Sequence, residues 1–559
     1  MLETVGAMPS SAMLDAWRAR VGAMRAMLGW PQGAVVARVH RGGASLAFTA
    51  PIDQLLTATE VNEWAWNSLV FETGAGIDDF DWQRAPGHPA AWDAASAHAT
   101  LLRHAHAERN PALLALVAEA RRRGLNLLVD DTVSIGSGTG VLQWPCAALP
   151  APHAIDWHAC HDIPVALVTG SNGKTTTVRL LATMARAHGW TTAHSCTDGL
   201  FVDGEPFAAG DYSGPAGARA VLRVPRAQAA ILETARGGLL RRGIAPSHAR
   251  CAVVTNISDD HFGEYGVYTL DDLAAVKLTV ARVVDADGLL VLNADDAMLV
   301  RHAPAGVPLG WFALDDEHPL LVAHRGKRGT TCGVRDGHLV LTRAGVRHDL
   351  GAIAAMPLSH DGAARYNIAN IAAAALAADA LGIAATTIAG VLARFGARHA
   401  DNPGRLQRWR IDGATVLVDY AHNPDGLRGL LAVAAGLRAG HGRLVLVFGQ
   451  AGNRGDAEIG ELAAVAAAAR PDRIVLKDMP SLLRGRAPGE MPTLLRAGLV
   501  RAGFDATRIV DGLDEITAAH RAVEGAGDGD VVVLPIHTPE SRAVVCAWLD
   551  GRSQDIQAP

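Results

Sequence analysis

Residues 165–177, VALVTGSNGKTTT, constrain this chain more than any other stretch. A short apolar run (Val165, Ala166, Leu167, Val168) leads into a turn bracketed by Gly170 and Gly173. Lys174 and three threonines then open a helical pattern, VRLLATMARAHG. Strand, tight loop and helix in this order point backbone N–H groups and a helix N-terminus at an anion. The two glycines permit a backbone path that side chains would block. Lys174 reaches outer phosphates, the Thr175 hydroxyl suits Mg²⁺, and Asn172 and Thr176 complete the loop. The strict P-loop pattern has glycine where Val168 stands, so this is a variant.

The rest of the chain must serve that loop. Its 559 residues correspond to three or four domains at roughly 100–200 residues each. A net charge of −6 argues against general nucleic-acid binding and carries no membrane-surface signal. The six cysteines are scattered without CxxC or Cys/His ligand spacing, which reads as reduced thiols without a zinc site. The N-terminus lacks a basic and then apolar leader, and no run of about 18 apolar residues is present. A cytoplasmic protein is expected.

Three segments emerge. Residues 1–158 hold a helical pattern over 13–28, a hairpin pattern around Gly42 and Gly43, a helix over 112–123, and the strand LNLLVDD. The following SIGSGTG is read as a surface loop, with phosphate cradling as its alternative. Residues 159–398 alternate apolar runs (VALVTG, AAILET, CAVVTNIS, GLLVLNAD) with helical patterns after the first and third. This predicts a mostly parallel sheet covered on both faces. A β-rich stretch interrupts it at 310–350, and a helix over 366–381 closes it. Residues 399–559 form a second open α/β domain with strands ATVLVDY, RLVLVFG, DRIVLK and DVVVLP.

Four clusters follow the loop. Glu233 ends a strand and supplies an oxygen ligand for Mg²⁺, with Gly237 and Gly238 allowing close approach. Asp259, Asp260 and His261 follow another strand, where open α/β sheets place their sites; His261 is a candidate second metal ligand. Lys277 lies sixteen residues further on. Asn367 and Asn370, at i and i+3, share a helix face and carry amides able to read an adenine edge. Asp419 ends a strand within VLVDYAHNP, where it can accept from ribose hydroxyls, and Arg405 in NPGR can balance phosphate charge.

TGSNGKTTT, the Glu233 segment, the Asp-His segment with its downstream lysine, YNIAN and DYAHNP together resemble the Mur ligases over residues 160–550. Within that family the likeness is to the Mur-ligase half of cyanophycin synthetase. It is carried by TDGLFVDGEPFAAGDYSGPAGARAVLR (197–223), ETARGGLLRRG (233–243) and RGRAPGE (484–490). The resemblance implies an α/β fold with a Mur-ligase-like central P-loop domain and a C-terminal open α/β domain, after a smaller α+β N-terminal domain.

It also implies ATP-dependent, ADP-forming amide ligation through an acyl phosphate. Lys174, Glu233, His261 and Lys277 would be catalytic, and Thr175, Glu233 and His261 would hold two Mg²⁺, with Lys277 carbamylated. Asn367 and Asn370 would meet adenine, Asp419 ribose, and Arg405 phosphate. Asp198, Ser213, Arg236, His422, Arg484 and Arg486 are the substrate candidates, with Asp478 or Glu490 facing a cationic side chain. The expected substrates are an amino acid such as arginine and an aspartate-containing peptide or polymer. A homo-oligomer is expected, with a full cyanophycin synthetase as a further candidate partner. No ATP-grasp half is expected between the N-terminal domain and the loop. The alternatives are a peptidoglycan-precursor or γ-glutamyl ligase, and a non-catalytic regulator of a full synthetase.

Overall fold

Apolar runs that do not alternate make strands buried on both faces, and such strands pair in parallel with helices over each face. The computed structural model, which describes residues 1–72, 94–259 and 262–553, follows that rule around the loop. The strand Val165–Thr169 lies between Ala229–Glu233 and Ala249–Val254 in an 11-stranded sheet, parallel to both. Parallel pairing continues outward to Thr192–Cys196 on one side and through Val284–Asn293 and Leu309–Phe312 to Thr330–Arg335 on the other. Antiparallel hairpins finish both edges. All five residues of Val165–Thr169 and of Ala229–Glu233 are buried.

The helix Lys174–Ala187 leaves the loop and packs on the helix Arg365–Ala380. The second helix reads RYNIANIAAAALAADA, and its alanines are what let it approach so closely. Ala372 to Ala378 are essentially without exposure and share one core with Val178, Leu181 and Ala185 of the loop helix. Short helices also follow the second and fourth apolar runs, at Arg236–Arg242 and Ala297–His302. The sequence reading placed none there, because six or seven residues are too few to show a period. Within the β-rich stretch, Pro319–Gly326 is helical.

A 6-stranded sheet forms the remainder of this unit, ordered Gln407–Ile411, Ala414–Asp419, Val531–Pro535, Leu444–Phe448, Arg473–Leu476, Ile509–Asp511. It is parallel except for its edge hairpin. Contacts assign both sheets to one compact unit, Ile163–Leu239 with His248–His261 and Ala274–Pro559.

The other unit is Met1–Asp162 with Leu240–Ser247 and Phe262–Leu273. Its hairpin Val35–His40/Gly43–Phe48 forms as expected and takes Leu2–Val5 as a third strand. Trp17, Val21, Leu46 and Trp66 fill its core. The glycine-rich SIGSGTG is neither a surface loop nor an open cradle. Ser137, Gly138 and Gly140 are buried, Ser137 donates to Asp162 at 2.8 Å, and a Cβ on Gly140 would stand 2.3 Å from the His161 carbonyl oxygen. Its glycines serve close packing of two chain segments.

The alanine-lined contact beneath the loop leaves no space for larger side chains. Ala374→Leu is expected to lower the unfolding free energy by about 2 kcal/mol, read as a shifted denaturant midpoint with unchanged far-ultraviolet circular dichroism.

Candidate active site

The loop is held from both sides. Gly170 has φ +145°, and a Cβ there would lie 1.8 Å from the Thr255 hydroxyl oxygen. Gly173 has φ +85°, caps the helix Lys174–Ala187, and would place a Cβ 2.1 Å from the Asn370 amide oxygen. Both positions therefore require glycine for backbone conformation and for space. Ser258 N donates to the Ser171 hydroxyl at 3.0 Å, and Asn172 N donates to the Asn256 side chain at 2.9 Å. These tie the loop to the end of the neighbouring strand, where Asn256 is a residue the sequence reading passed over.

Thr175 donates its hydroxyl to Glu233 at 2.9 Å, and Thr197 donates to the other carboxylate oxygen at 2.8 Å. Glu233 is 1% exposed, so these hydroxyls satisfy a buried carboxylate. The Lys174 ammonium donates to the Gly170 and Ser171 carbonyls at 3.0 Å each. Lys277 is buried and donates to the same Gly170 oxygen at 2.8 Å, so two cationic side chains converge on one carbonyl.

The second sheet completes the site. Asn423 caps the helix Pro424–Leu437 with its oxygen and donates its amide to Asn172 at 2.9 Å. Asp419 accepts from Leu406 N at 2.7 Å and Ala421 N at 2.8 Å; burial pushes its pKa up. A cavity of about 400 Å³ lies between the loop and this second set. From one side it is lined by residues 171–176, Thr197 and Glu233; from the other by Arg405, Asp419, Tyr420 and His422, with Asn367 and Asn370 on its wall. The two asparagines bond to each other at 3.2 Å, and Asn367 donates to Leu358 O at 3.0 Å. Tyr366, also lining the cavity, has a buried hydroxyl with no hydrogen-bond partner among the described residues.

Behind Arg405 lies a buried charge cluster. Asp198 accepts from Arg179 at 2.8 Å and Arg542 at 2.7 Å, and Arg405 approaches to 3.6 Å. Burial opposes the charged carboxyl, but the three guanidinium groups overcome it and hold the pKa below 3.8. Arg405 also lies over the Tyr420 ring, 4.4 Å from its centre. The sequence flagged Asp198 and Arg405, but no local pattern marks Arg179 or Arg542 as their partners.

Of the other expected residues, Ser213 is buried, donates to Asp211 at 2.6 Å and accepts from Ala235 N at 2.6 Å. A Cβ on Gly238 would stand 2.8 Å from Pro215, so the 213–215 and 235–238 stretches meet closely. Arg236 is buried at the start of its helix. Neither stretch lines the cavity. Nor do Arg484, which is exposed, and Arg486, which donates to Asp456 at 2.9 Å and Glu490 at 2.6 Å. With both carboxylates already engaged, neither Arg486 nor Glu490 stands open to a ligand. Asp478 accepts from Gly489 N at 2.6 Å. His261 and Asp260 lie outside the described residues.

The donor set suits a nucleotide and a hard cation. Tyr366 offers a buried hydroxyl with no partner among the described residues, and Thr175 and Glu233 present adjacent oxygens. Among the described residues no group of three or more His, Cys, Asp or Glu side chains could hold a metal alone. Thr175 and Glu233 are the residues that would hold Mg²⁺, a cation that takes one or two carboxylates and fills its shell with water and phosphate.

Fold and site thus define a P-loop α/β protein whose second α/β sheet shares the wall of the phosphate-loop cavity. The Mur ligase middle domain model matches residues 168–378, and the Mur ligase, glutamate ligase domain model matches 404–535. The chain is 35% identical over 375 residues to cyanophycin synthetase of Synechocystis sp., covering 67% of this chain and 42% of that protein. To the Nostoc sp. cyanophycin synthetase it is 34% identical over 391 residues, 70% and 43% respectively. It is 32% identical over 381 residues to the UDP-N-acetylmuramoyl-L-alanyl-D-glutamate–2,6-diaminopimelate ligase of Xanthomonas campestris, covering 66% of this chain and 70% of that protein. The chain belongs to the Mur ligase family. It spans less than half the length of the two cyanophycin synthetases.

Because Asp198 neutralises buried guanidinium groups, Asp198→Asn is expected to lower stability at neutral pH by about 3 kcal/mol. A depressed carboxyl pKa contributes stability above the ordinary value of 3.8 and loses it as the pH falls through the folded value. The gap between variant and wild type should therefore shrink from about pH 6 to about pH 3, which denaturant titrations at both pH values check.

Proposed function

We propose that this protein is an ATP-dependent amide ligase that joins an amino acid, such as arginine, to an aspartate-type carboxylate. The observation carrying the reading is that the phosphate loop, the Thr175–Glu233 pair and Arg405 of the second sheet line one cavity. The substrate carboxylate attacks the γ-phosphorus and ADP leaves, giving an acyl phosphate. The amine then attacks the acyl carbon, loses a proton, and phosphate departs. Such a reaction needs its charge neutralised and its reactants held in line.

In this reading Lys174 and Arg405 neutralise the phosphates, and Thr175 with Glu233 hold Mg²⁺, whose charge supports phosphoryl transfer. His261 is the proposed ligand of a second ion. Asp419 is the proposed ribose contact, with Asn367, Asn370 and Tyr366 the proposed contacts to the base. Asp198 acts through Arg405, and His422 is the proposed contact on the substrate side. Lys277 is the proposed carbamate. Its nitrogen and that of Lys174 share the Gly170 oxygen, and turning one of two crowded cations into an anion removes their repulsion.

The proposed division of labour runs over three segments. They are a nucleotide-binding domain over 159–398, a C-terminal α/β domain over 399–559 that excludes water, and an N-terminal α+β domain over 1–158. The arginine–aspartate choice rests on the identity to cyanophycin synthetases. No helix among the described residues is long and apolar enough to cross a membrane. A cytoplasmic homo-oligomer, working alone or beside a full synthetase, belongs to the same proposal.

The identity to a diaminopimelate ligase over 70% of its length favours a second reading, ligation to a peptidoglycan precursor. The test is phosphate release from ATP and Mg²⁺ with two substrate sets. One pairs polyaspartate or β-Asp-Arg dipeptide with arginine; the other pairs UDP-muramyl-dipeptide with diaminopimelate, with products weighed by mass spectrometry. A product one amide heavier in the first set supports the proposal, and in the second set replaces it. Wild-type protein that binds ATP but releases no phosphate with any pair would sink both. Lys174→Ala is expected to lower kcat at least about a hundredfold.

A further inference from the structure

The second sheet holds a buried charged network that the ligase reading leaves unused. Lys477 follows the strand Arg473–Leu476, Glu515 opens the helix Glu515–Val523, and His537 follows the strand Val531–Pro535. Their side chains are 0%, 2% and 4% exposed. Lys477 spends all three ammonium hydrogens: on Glu515 at 2.5 Å, on the Pro535 carbonyl, and on His537 Nδ1 at 3.2 Å. Glu515 also accepts from the backbone N–H groups of His537 at 2.8 Å and Thr538 at 3.0 Å. The space is made for the lysine: a Cβ on Gly449 would stand 2.4 Å from Lys477 Cγ.

Burying a lysine and a glutamate costs several kcal/mol, which apolar residues of the same volume would avoid. What the network delivers is the orientation of His537. With Nδ1 accepting from Lys477, the ring hydrogen lies on Nε2, which donates to the Ala421 carbonyl at 3.0 Å. Burial and the adjacent ammonium keep the imidazole neutral, with its pKa well below the usual value. The ring edge meets the Tyr420 ring at 5.5 Å and 82°. The Arg405 guanidinium lies 4.4 Å from the centre of that same Tyr420 ring. Tyr420, Ala421 and Arg405 all line the cavity.

We propose that Lys477, Glu515 and His537 are positioning residues that fix the 420–422 segment and, through the Tyr420 ring, aim Arg405 into the cavity. The inference rests on the reading above only in taking Arg405 as a phosphate contact. Its consequence is that a fully enclosed network, touching no ligand, sets nucleotide affinity.

The test is calorimetric binding of ATP with Mg²⁺, which needs no turnover and so separates this inference from the ligase assignment. His537→Gln removes the ring from Tyr420 and is expected to weaken binding about tenfold. His537→Phe keeps a ring against Tyr420 while losing both the Lys477–Nδ1 and the Nε2–Ala421 bonds, so its expected loss is smaller, about threefold. In an Arg405→Ala background neither change should weaken binding further, while their effects on the thermal midpoint should still add. A merely structural role predicts lowered midpoints with ATP affinity unchanged, and that result overturns the proposal. So does a His537 effect that multiplies with Arg405→Ala. If His537→Gln does not fold, the same two criteria applied to His537→Phe decide.

Discussion

A four-residue turn with no room for a side chain at either end governs this structure. Gly170 is pressed against the Thr255 hydroxyl and Gly173 against the Asn370 amide. Thr255 follows the adjacent parallel strand, and Asn370 sits in the alanine-rich helix packed on the loop helix. The strand, the two helices and the neighbouring strand end must therefore arrive together. Their close approach is what aims the backbone N–H groups of the turn into one cavity. A larger residue at any of the helix contact positions would act on the site through packing alone, because cores of this density transmit small displacements.

Charge is handled in the same economical way. Glu233 is satisfied by two threonine hydroxyls rather than by a cation, which leaves its carboxylate and Thr175 as neighbouring oxygens. Asp198 instead meets three guanidinium groups, two of them contributed by segments more than two hundred residues away. The positive side of the cavity is thus anchored by one carboxylate behind it. Lys477 and Glu515 repeat the device deeper in the second sheet, where a paired charge fixes the tautomer of a histidine.

The cavity belongs to neither sheet alone. Asn172 of the loop bonds to Asn423, and Arg179 of the loop helix donates to the Pro403 carbonyl at 3.1 Å. An acyl phosphate is destroyed by water, so a wall built from both sheets suits the proposed chemistry better than an open strand edge would. The arginines of the RGRAPGE stretch lie off this cavity, with Arg486 neutralised by Asp456 and Glu490. That stretch holds the loops of the second sheet together.

The sequence by itself determined the phosphate loop, the parallel strands, the alanine-rich helix and the loop, strand-end and helix residues that anchor the cavity. Glycine spacing, unbroken apolar runs and strand-end carboxylates are local signals, written within a dozen residues. It misjudged SIGSGTG, because glycine-rich segments read alike whether they turn at the surface or pack against a neighbouring chain. Only the tertiary structure decided the partners of Asp198, the convergence of Lys174 and Lys277 on one carbonyl, and the Lys477–Glu515–His537 network. Each joins side chains that are distant in sequence. A charged residue destined for burial looks, in a linear chain, like any other charged residue. The difference is made by which strand ends meet, and that is fixed by the packing of whole sheets.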